Sequence, residues 1–279
     1  MSEKISFNDR MNMLISNKSS FLCIGLDPDL DKIPAHLKYE KNPLKTFTEG
    51  IIDATKDLVI AYKANLAFFE CEGLNGLEAL QNLCTLIPKD VILILDGKRG
   101  DIANTANKYV KAYFSELNAD AITVNPYMGH DAIEPFIKDS RKGVFVLALT
   151  SNPGSNDFQN LQIDKESLYQ YVSRKVQQWN TNNNCGLVVG ATDIEGFEII
   201  RHTTPNLPIL VPGIGAQGGS LEKVIQIGRD EAGTGMLINV GRDIIYNSNE
   251  KDYAEKARNK AQYYINEITR LIQTSWNYI

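Results

Sequence analysis

The stretch VILILDGKRGDI, residues 91–102, runs five apolar residues straight into Asp96, Lys98, Arg99 and Asp101. Short and apolar on both faces, the run reads as a strand buried in a parallel sheet. An apolar strand feeding directly into charge argues against a solvated charge run. Residues two apart in an extended chain point the same way, so Asp96 and Lys98 are expected to project together, with Asp101 just beyond. Seven similar runs follow the same pattern: FLCIGLD (21–27), LVIAYKA (58–64), AITVN (121–125), VFVLAL (144–149), GLVVG (186–190), PILVP (208–212) and MLINVG (236–241).

Between these runs the apolar residues take helical spacing, as in Phe47, Ile51, Ala54 and Leu58, in Leu77, Leu80, Cys84 and Ile87, and in Ala106, Val110, Phe114 and Leu117. Thr46 and Glu49 stand at capping-box spacing and are expected to open the first of these helices. The last helix is expected from Lys251 to about Thr274, with Tyr253, Ala257, Ala261, Tyr264 and Ile268 on one stripe. Strand and helix alternating eight times predict an α/β fold, a (β/α)8 TIM barrel. One domain is expected over residues 1–279, with an N-terminal helical extension over about 1–20. Two intervals, 28–57 and 152–185, are long, and the Asn/Ser/Gly-rich pieces SNPGSNDFQN and NTNNN predict extended loops around a helix in the second.

The bulk composition agrees with one globular domain: 279 residues, 43% hydrophobic and 23% charged. A net charge of -5 lacks the basic footprint of a nucleic-acid binder, so anionic ligands must be held by placed charges. The segment MSEKISFNDRMNML has no apolar signal region, and no run approaches a membrane span, so a cytoplasmic protein is expected. The sequon at Asn17-Lys18-Ser19 is then a coincidence. Cys23, Cys71, Cys84 and Cys185 form no C-x-x-C pair and read as reduced thiols.

Polar residues concentrate at strand C-termini: Asp27, Lys63, Asp96, Asn125, Thr150 with Ser151, and Asn239 with Arg242. In a parallel barrel these ends share one mouth. A single polar residue there means little, because strands must become polar somewhere; their convergence means more. A buried Asp96/Lys98/Asp101 cluster joined by Lys63 holds its charges only by mutual pairing, which keeps Lys98 protonated as an acid.

The segment PGIGAQGG, residues 212–219, formally contains G-x-G-x-x-G. A dinucleotide fingerprint normally lies in a βαβ unit with an acid about 20 residues on. Here one strand remains, and it ends in Asn239-Val240-Gly241-Arg242. As the loop after strand seven the segment is better placed to bind phosphate through its backbone N–H groups, helped by Gln217 and by the Gly241-Arg242 pair. The guanidinium fork of Arg242 suits a phosphate. With only His36, His130 and His202, no H-E-x-x-H and no G-x-S-x-G, no metal site or acyl-enzyme nucleophile is expected. His130, in MGHDAIEPF, reads as a hydrogen-bonding residue at a helix start.

These residues resemble the orotidine 5′-phosphate decarboxylase family. Its D-x-K-x-x-D-I signature appears as Asp96 to Ile102, its strand-one aspartate as Asp27, its strand-two lysine as Lys63 in AYKAN, and its phosphate loop as PGIGAQGG followed by NVGR. The long intervals and the TSNPG segment are similar to the longer subgroup of that family. The resemblance implies a cofactor-free decarboxylation of orotidine monophosphate to UMP, in which Lys98 delivers a proton to C6 and Asp96 lies beside the departing carboxylate. It further implies that Lys63 and Asp27 hold ribose hydroxyls, that Asn65 supports the Lys63 region, and that Ser151 reads the uracil amide, with Thr150 the competing hydroxyl. Pro212, Gln217, Gly241 and Arg242 would grip the phosphate. Asp101, Ile102 and Thr105 would reach the neighbouring subunit's site in a homodimer.

Three rivals remain at this point. A Mg-dependent sugar-phosphate decarboxylase or aldolase of the same barrel group shares D-x-K-x-x-D but should carry a carboxylate where Lys63 stands. A Schiff-base aldolase would need a lysine pKa lowered by desolvation, whereas adjacent aspartates raise it. A noncatalytic nucleotide binder has little reason to bury such a charge cluster.

Overall fold

The computed structural model describes residues 5–215 and 218–275. Eight parallel strands close a barrel in which each strand is bonded to its sequence neighbour and the last to the first. They are β1 (Leu22–Leu26), β2 (Ala61–Asn65), β3 (Ile92–Arg99), β4 (Ala121–Val124), β5 (Gly143–Leu149), β6 (Cys185–Val189), β7 (Ile209–Pro212) and β8 (Met236–Val240). All eight coincide with the apolar runs, and helices lie between them, so the barrel reading holds. Burial on both faces is what selects Val, Ile and Leu along each strand.

Before β1, the helix α1 (Phe7–Lys18) turns Phe7, Met11 and Ile15 into the structure, all essentially fully buried. The Phe7 ring meets Phe145 edge-on at 5.9 Å, and a Cβ at Gly143 would strike the Phe7 ring at 2.4 Å. Asn8 Nδ2 donates to the Cys185 carbonyl at 3.0 Å. The helix therefore plugs the N-terminal ends of β5 and β6 and leaves the C-terminal ends as the open mouth. Burying its three large side chains contributes on the order of 5–9 kcal/mol before ordering entropy is subtracted.

Several local expectations change. The helix after β1, α2 (Pro43–Thr55), starts four residues earlier than the Thr46–Glu49 pair implies. Asn42 caps it by accepting from Lys45 N at 3.2 Å, and Pro43 takes the first-turn position where a missing N–H costs nothing. In α3 (Gly73–Leu86) the packed face is Gly76, Ala79, Leu80 and Leu83, while Leu77 is exposed. The helix α4 (Ala103–Val110) continues into a π-helical turn, Lys111–Glu116, and α5 (His130–Ile137) starts at His130 without a side-chain cap bond. His130 packs instead against Trp179, ring centroids 5.3 Å apart.

The long interval after β5 holds a 3-10 turn (Pro153–Asp157), a two-residue-per-strand antiparallel hairpin (Gln162–Ile163 with Glu166–Ser167) and α6 (Leu168–Trp179). Three further helices, α7 (Ile194–Thr203), α8 (Leu221–Gly228) and the short α9 (Arg242–Ile245), precede the terminal α10 (Tyr253–Ser275), whose expected apolar stripe is buried throughout. Among the described residues no helix is long and apolar enough to cross a membrane, and the four cysteines are unpaired.

Candidate active site

The mouth of the barrel opens into a cavity of about 600 Å³. Its floor is a chain of charges. Asp96, past the middle of β3, accepts from Lys63 Nζ at 2.8 Å through Oδ2, and from Lys98 Nζ at 2.7 Å and Thr123 Oγ1 at 2.8 Å through Oδ1. The Lys63 and Asp96 side chains are 6% and 9% exposed, whereas Lys98 is 47% exposed. The buried pair thus serves as a base, and the second ammonium faces the open volume. Register brings this about: Gly25 lies beside Lys63 and Asn65 beside Asp96 in neighbouring strands.

Lys98 reaches this position by a route that simple alternation does not describe. Its φ is +47°, in the left-handed region that side chains rarely adopt, and the β3–β4 register shifts between Leu95 and Arg99. Lys98 N is held by Thr123 Oγ1 at 2.9 Å, and the Arg99 carbonyl accepts from Asn125 N at 2.8 Å. Strain is thereby fixed at the residue whose ammonium the cavity receives.

The charges hold each other ionised. Burial alone would raise the Asp96 carboxyl, but the charges of Lys63 and Lys98 and their hydrogen bonds outweigh it and hold Asp96 well below the usual carboxylate range. Burial alone would lower Lys63, but Asp96 and Asp27 outweigh it and raise the ammonium above its ordinary value. For Asp96 the stabilisation is present above the unfolded value of 3.8 and is lost as pH falls through the folded one. For Lys63 it is fully present below 10.5 and is lost only above that, in strong alkali. Removing the carboxylate leaves the buried Lys63 ammonium without its hydrogen-bonded counter-charge, so Asp96→Asn should cost about 3–5 kcal/mol at neutral pH. Calorimetry should find the melting difference between wild type and Asp96→Asn flat from about pH 5 to 9 and shrinking below about pH 4. A difference that widens in acid would contradict the sign of the Asp96 shift.

Around this floor, Asp27 lines the cavity, and its Oδ1 is a buried acceptor with no hydrogen-bond partner. Tyr246 anchors the Asp27 turn by accepting from Asp29 N at 2.7 Å and donating to the Asp27 carbonyl at 2.8 Å. On another wall, Thr150 Oγ1 donates to Asn152 Oδ1 at 2.7 Å and accepts from Gln159 Nε2 at 2.8 Å, so its hydroxyl is engaged within the loop. Ser151 lies beside it on the cavity wall.

At the opposite side, the loop after β7 folds back on itself. Gly219 N donates to the Gly213 carbonyl at 3.0 Å, and Gly213, Gly215 and Gly218 all have positive φ. A Cβ on Gly219 would stand 2.5 Å from Ala191 Cβ, so only glycine allows this approach. Pro212, Gly213, Gly241 and Arg242 line the cavity there, and Gln217 lies outside the described residues.

The structure brings Asp27, Lys63, Asn65, Asp96, Lys98, Ser151, Pro212, Gly241 and Arg242 to one cavity. Asn65 does not bond Lys63; its Oδ1 accepts from Ala67 N at 3.3 Å. Asp101, Ile102 and Thr105 do not line the cavity of their own chain. The expected cluster of four charges is thus three within one chain, because the backbone turns outward after Lys98 and Asp101 Oδ1 accepts from Ile102 N at 2.8 Å at the start of α4. Thr123 and Gln159 were not foreseen. Thr123 carried one signal, a polar side chain near the C-terminal end of an otherwise apolar strand; Gln159 sits in an irregular loop and carried none. Among the described residues no group of three or more His, Cys, Asp or Glu is arranged to hold a metal.

Comparison with known proteins agrees with this geometry. The orotidine 5′-phosphate decarboxylase / HUMPS family matches residues 20–257. An orotidine 5′-phosphate decarboxylase of Flavobacterium johnsoniae is 47% identical over 265 residues, covering 94% of this chain and 97% of the relative. The structure of Leishmania donovani OMP decarboxylase superposes with a TM-score of 0.83 at 39% identity, covering 96% of this chain and 99% of that one. An orotidine 5′-monophosphate decarboxylase from Methanocaldococcus jannaschii, solved with the inhibitor BMP, gives a TM-score of 0.63 at 25% identity, covering 88% and 98%.

Proposed function

This chain belongs to the orotidine 5′-phosphate decarboxylase / HUMPS family, and from that membership and the geometry of the mouth we infer that it converts orotidine monophosphate to UMP and CO2 without a cofactor. The observation that carries this reading is the chain Lys63–Asp96–Lys98, with both lysines within 2.8 Å of one carboxylate and Lys98 open to the cavity.

In the reaction the bond from C6 to the carboxylate breaks, CO2 departs, and the electron pair stays on C6. A fixed ammonium aimed at that carbon stabilises the developing charge and then supplies the proton. Lys98 Nζ fills that role, and solvent later restores its proton. Asp96 orients Lys98 and lies beside the departing carboxylate. Asp27, whose Oδ1 lacks a partner, and Lys63 take ribose hydroxyls; Ser151 reads the base. Arg242, Gly241 and the loop 213–219 grip the phosphate, whose binding energy is available to the transition state as well as to the ground state. Asp101, Ile102 and Thr105 complete the site of a second subunit in a homodimer.

The sugar-phosphate rival needs a carboxylate where Lys63 stands, and that place holds a buried ammonium paired to Asp96. The deciding assay is CO2 release from orotidine monophosphate with stoichiometric UMP. Activity should survive EDTA; no CO2 release, or activity lost to EDTA and restored by Mg2+, would overturn the reading.

A further inference from the structure

Asp243 lines the cavity immediately after Arg242, on the wall formed by Gly213, Ile214 and Gly241. A carboxylate beside a dianion site is an obstacle to binding, because two charges of the same sign a few ångströms apart repel even at the high effective dielectric of a protein surface. Two side chains of α10 hold it. Tyr264 OH donates to Asp243 Oδ2 at 2.5 Å, and Lys260 Nζ lies 3.2 Å from the same oxygen. Burial and then the Asp243 carboxylate push the Tyr264 phenol up, so it remains a proton donor. Lys260 also lies over the Tyr263 and Tyr264 rings, at 5.2 and 5.7 Å from their centroids, which fixes its ammonium at the carboxylate.

The same unit supports the loop. Gly215, at φ +85°, passes so close that a Cβ there would stand 3.0 Å from Tyr264 OH and 3.3 Å from Asp243 Cβ. Gly218 N donates back to the Gly215 carbonyl at 3.0 Å. The loop after β7 therefore rests on the Asp243–Tyr264 pair, and the terminal helix reaches the mouth through two residues, Lys260 and Tyr264.

We propose that Asp243, Lys260 and Tyr264 form the seat of the phosphate-binding loop: Asp243 and Tyr264 position the Gly215 turn and the start of α9 at Arg242, and Lys260 cancels the Asp243 charge so that the site accepts a phosphate. These are positioning residues, none of them touching the reacting atoms, and the proposal rests on the phosphate reading of Arg242 and of the loop.

The test compares inhibition constants for UMP and for uridine, which lacks the phosphate; their ratio isolates phosphate recognition from binding of the base and ribose. In Lys260→Met, which keeps the apolar stem over the tyrosine rings, the preference for UMP should fall about tenfold while uridine binding is unchanged. Adding Asp243→Asn removes the repelling charge, and the double variant should recover the wild-type preference to within about twofold. Tyr264→Phe should lower the preference several-fold without altering uridine. Failure of Lys260→Met to change the preference, or failure of the double variant to recover it, overturns the seat. Arg242→Ala separates the two ideas: a preference insensitive to Arg242→Ala refutes the phosphate site itself. A preference that falls with Arg242→Ala but not with Lys260→Met refutes only the role of the seat.

Discussion

Replacing Lys98 with alanine should reduce kcat by about 10⁴-fold or more while leaving UMP affinity within about tenfold of wild type. Two effects vanish together: the fixed positive charge facing C6 and the proton that C6 must receive, each commonly contributing 10²-fold or more. The fold should survive, because the Lys98 side chain is 47% exposed and Asp96 keeps Lys63 and Thr123 as partners. Alanine meets the same left-handed backbone as lysine at φ +47°, so the strain already present is not increased. Single-turnover conversion of orotidine monophosphate, with UMP affinity measured separately, checks both halves. A variant retaining most of its kcat would remove Lys98 from the proton-donor role, and one that lost UMP binding altogether would make Lys98 part of the binding surface instead.

The barrel was legible in the chain because burial on both faces leaves a strong mark: each β-strand is a short apolar run, and each run ends where polarity is needed. The position of Lys98 was foreseen from two-residue alternation, yet the backbone at Lys98 is left-handed and the ladder shifts beside it. Lys98 reaches Asp96 and the cavity, but by a different backbone path from the one alternation gives, since a bulge leaves no signature in residue types here beyond the flanking Gly97 and Gly100. Helix boundaries showed the same limit. Asn42 with Pro43 is as good a start as Thr46 with Glu49, and which one closes a first turn depends on where the preceding loop delivers the chain. In sequence Thr123 is one β-branched residue of the AITVN run, and only tertiary pairing sets its hydroxyl between Asp96 and Lys98 N. The seat beneath the loop was illegible for a simpler reason. Asp243, Lys260 and Tyr264 are spread over two helices, and only tertiary packing brings them to Gly215.

Asp101 marks what one chain's geometry leaves open. In the signature it stands three residues from Lys98, yet it does not line its own cavity, and its Oδ1 accepts from Ile102 N just before α4. The proposed homodimer accounts for that: across a two-fold interface Asp101 of one subunit would complete the partner's site. On that arrangement Lys63→Ala and Asp101→Ala, each nearly inactive alone, should restore activity when mixed and allowed to exchange subunits. In a mixed dimer one site receives both lesions, and the other combines an intact Lys63 with an intact Asp101 from the opposite chain. Random exchange makes about half the dimers mixed, so roughly a quarter of all sites should regain wild-type composition, and kcat per total site should approach about a quarter of wild type. If both residues serve the same chain's site, every site keeps one lesion and activity stays at the level of the separate variants. Subunit exchange must be demonstrated independently, for example by resonance energy transfer between labelled variants. With exchange proven, absence of recovery would discard the shared site and leave Lys63, Asp96 and Lys98 to act within one chain.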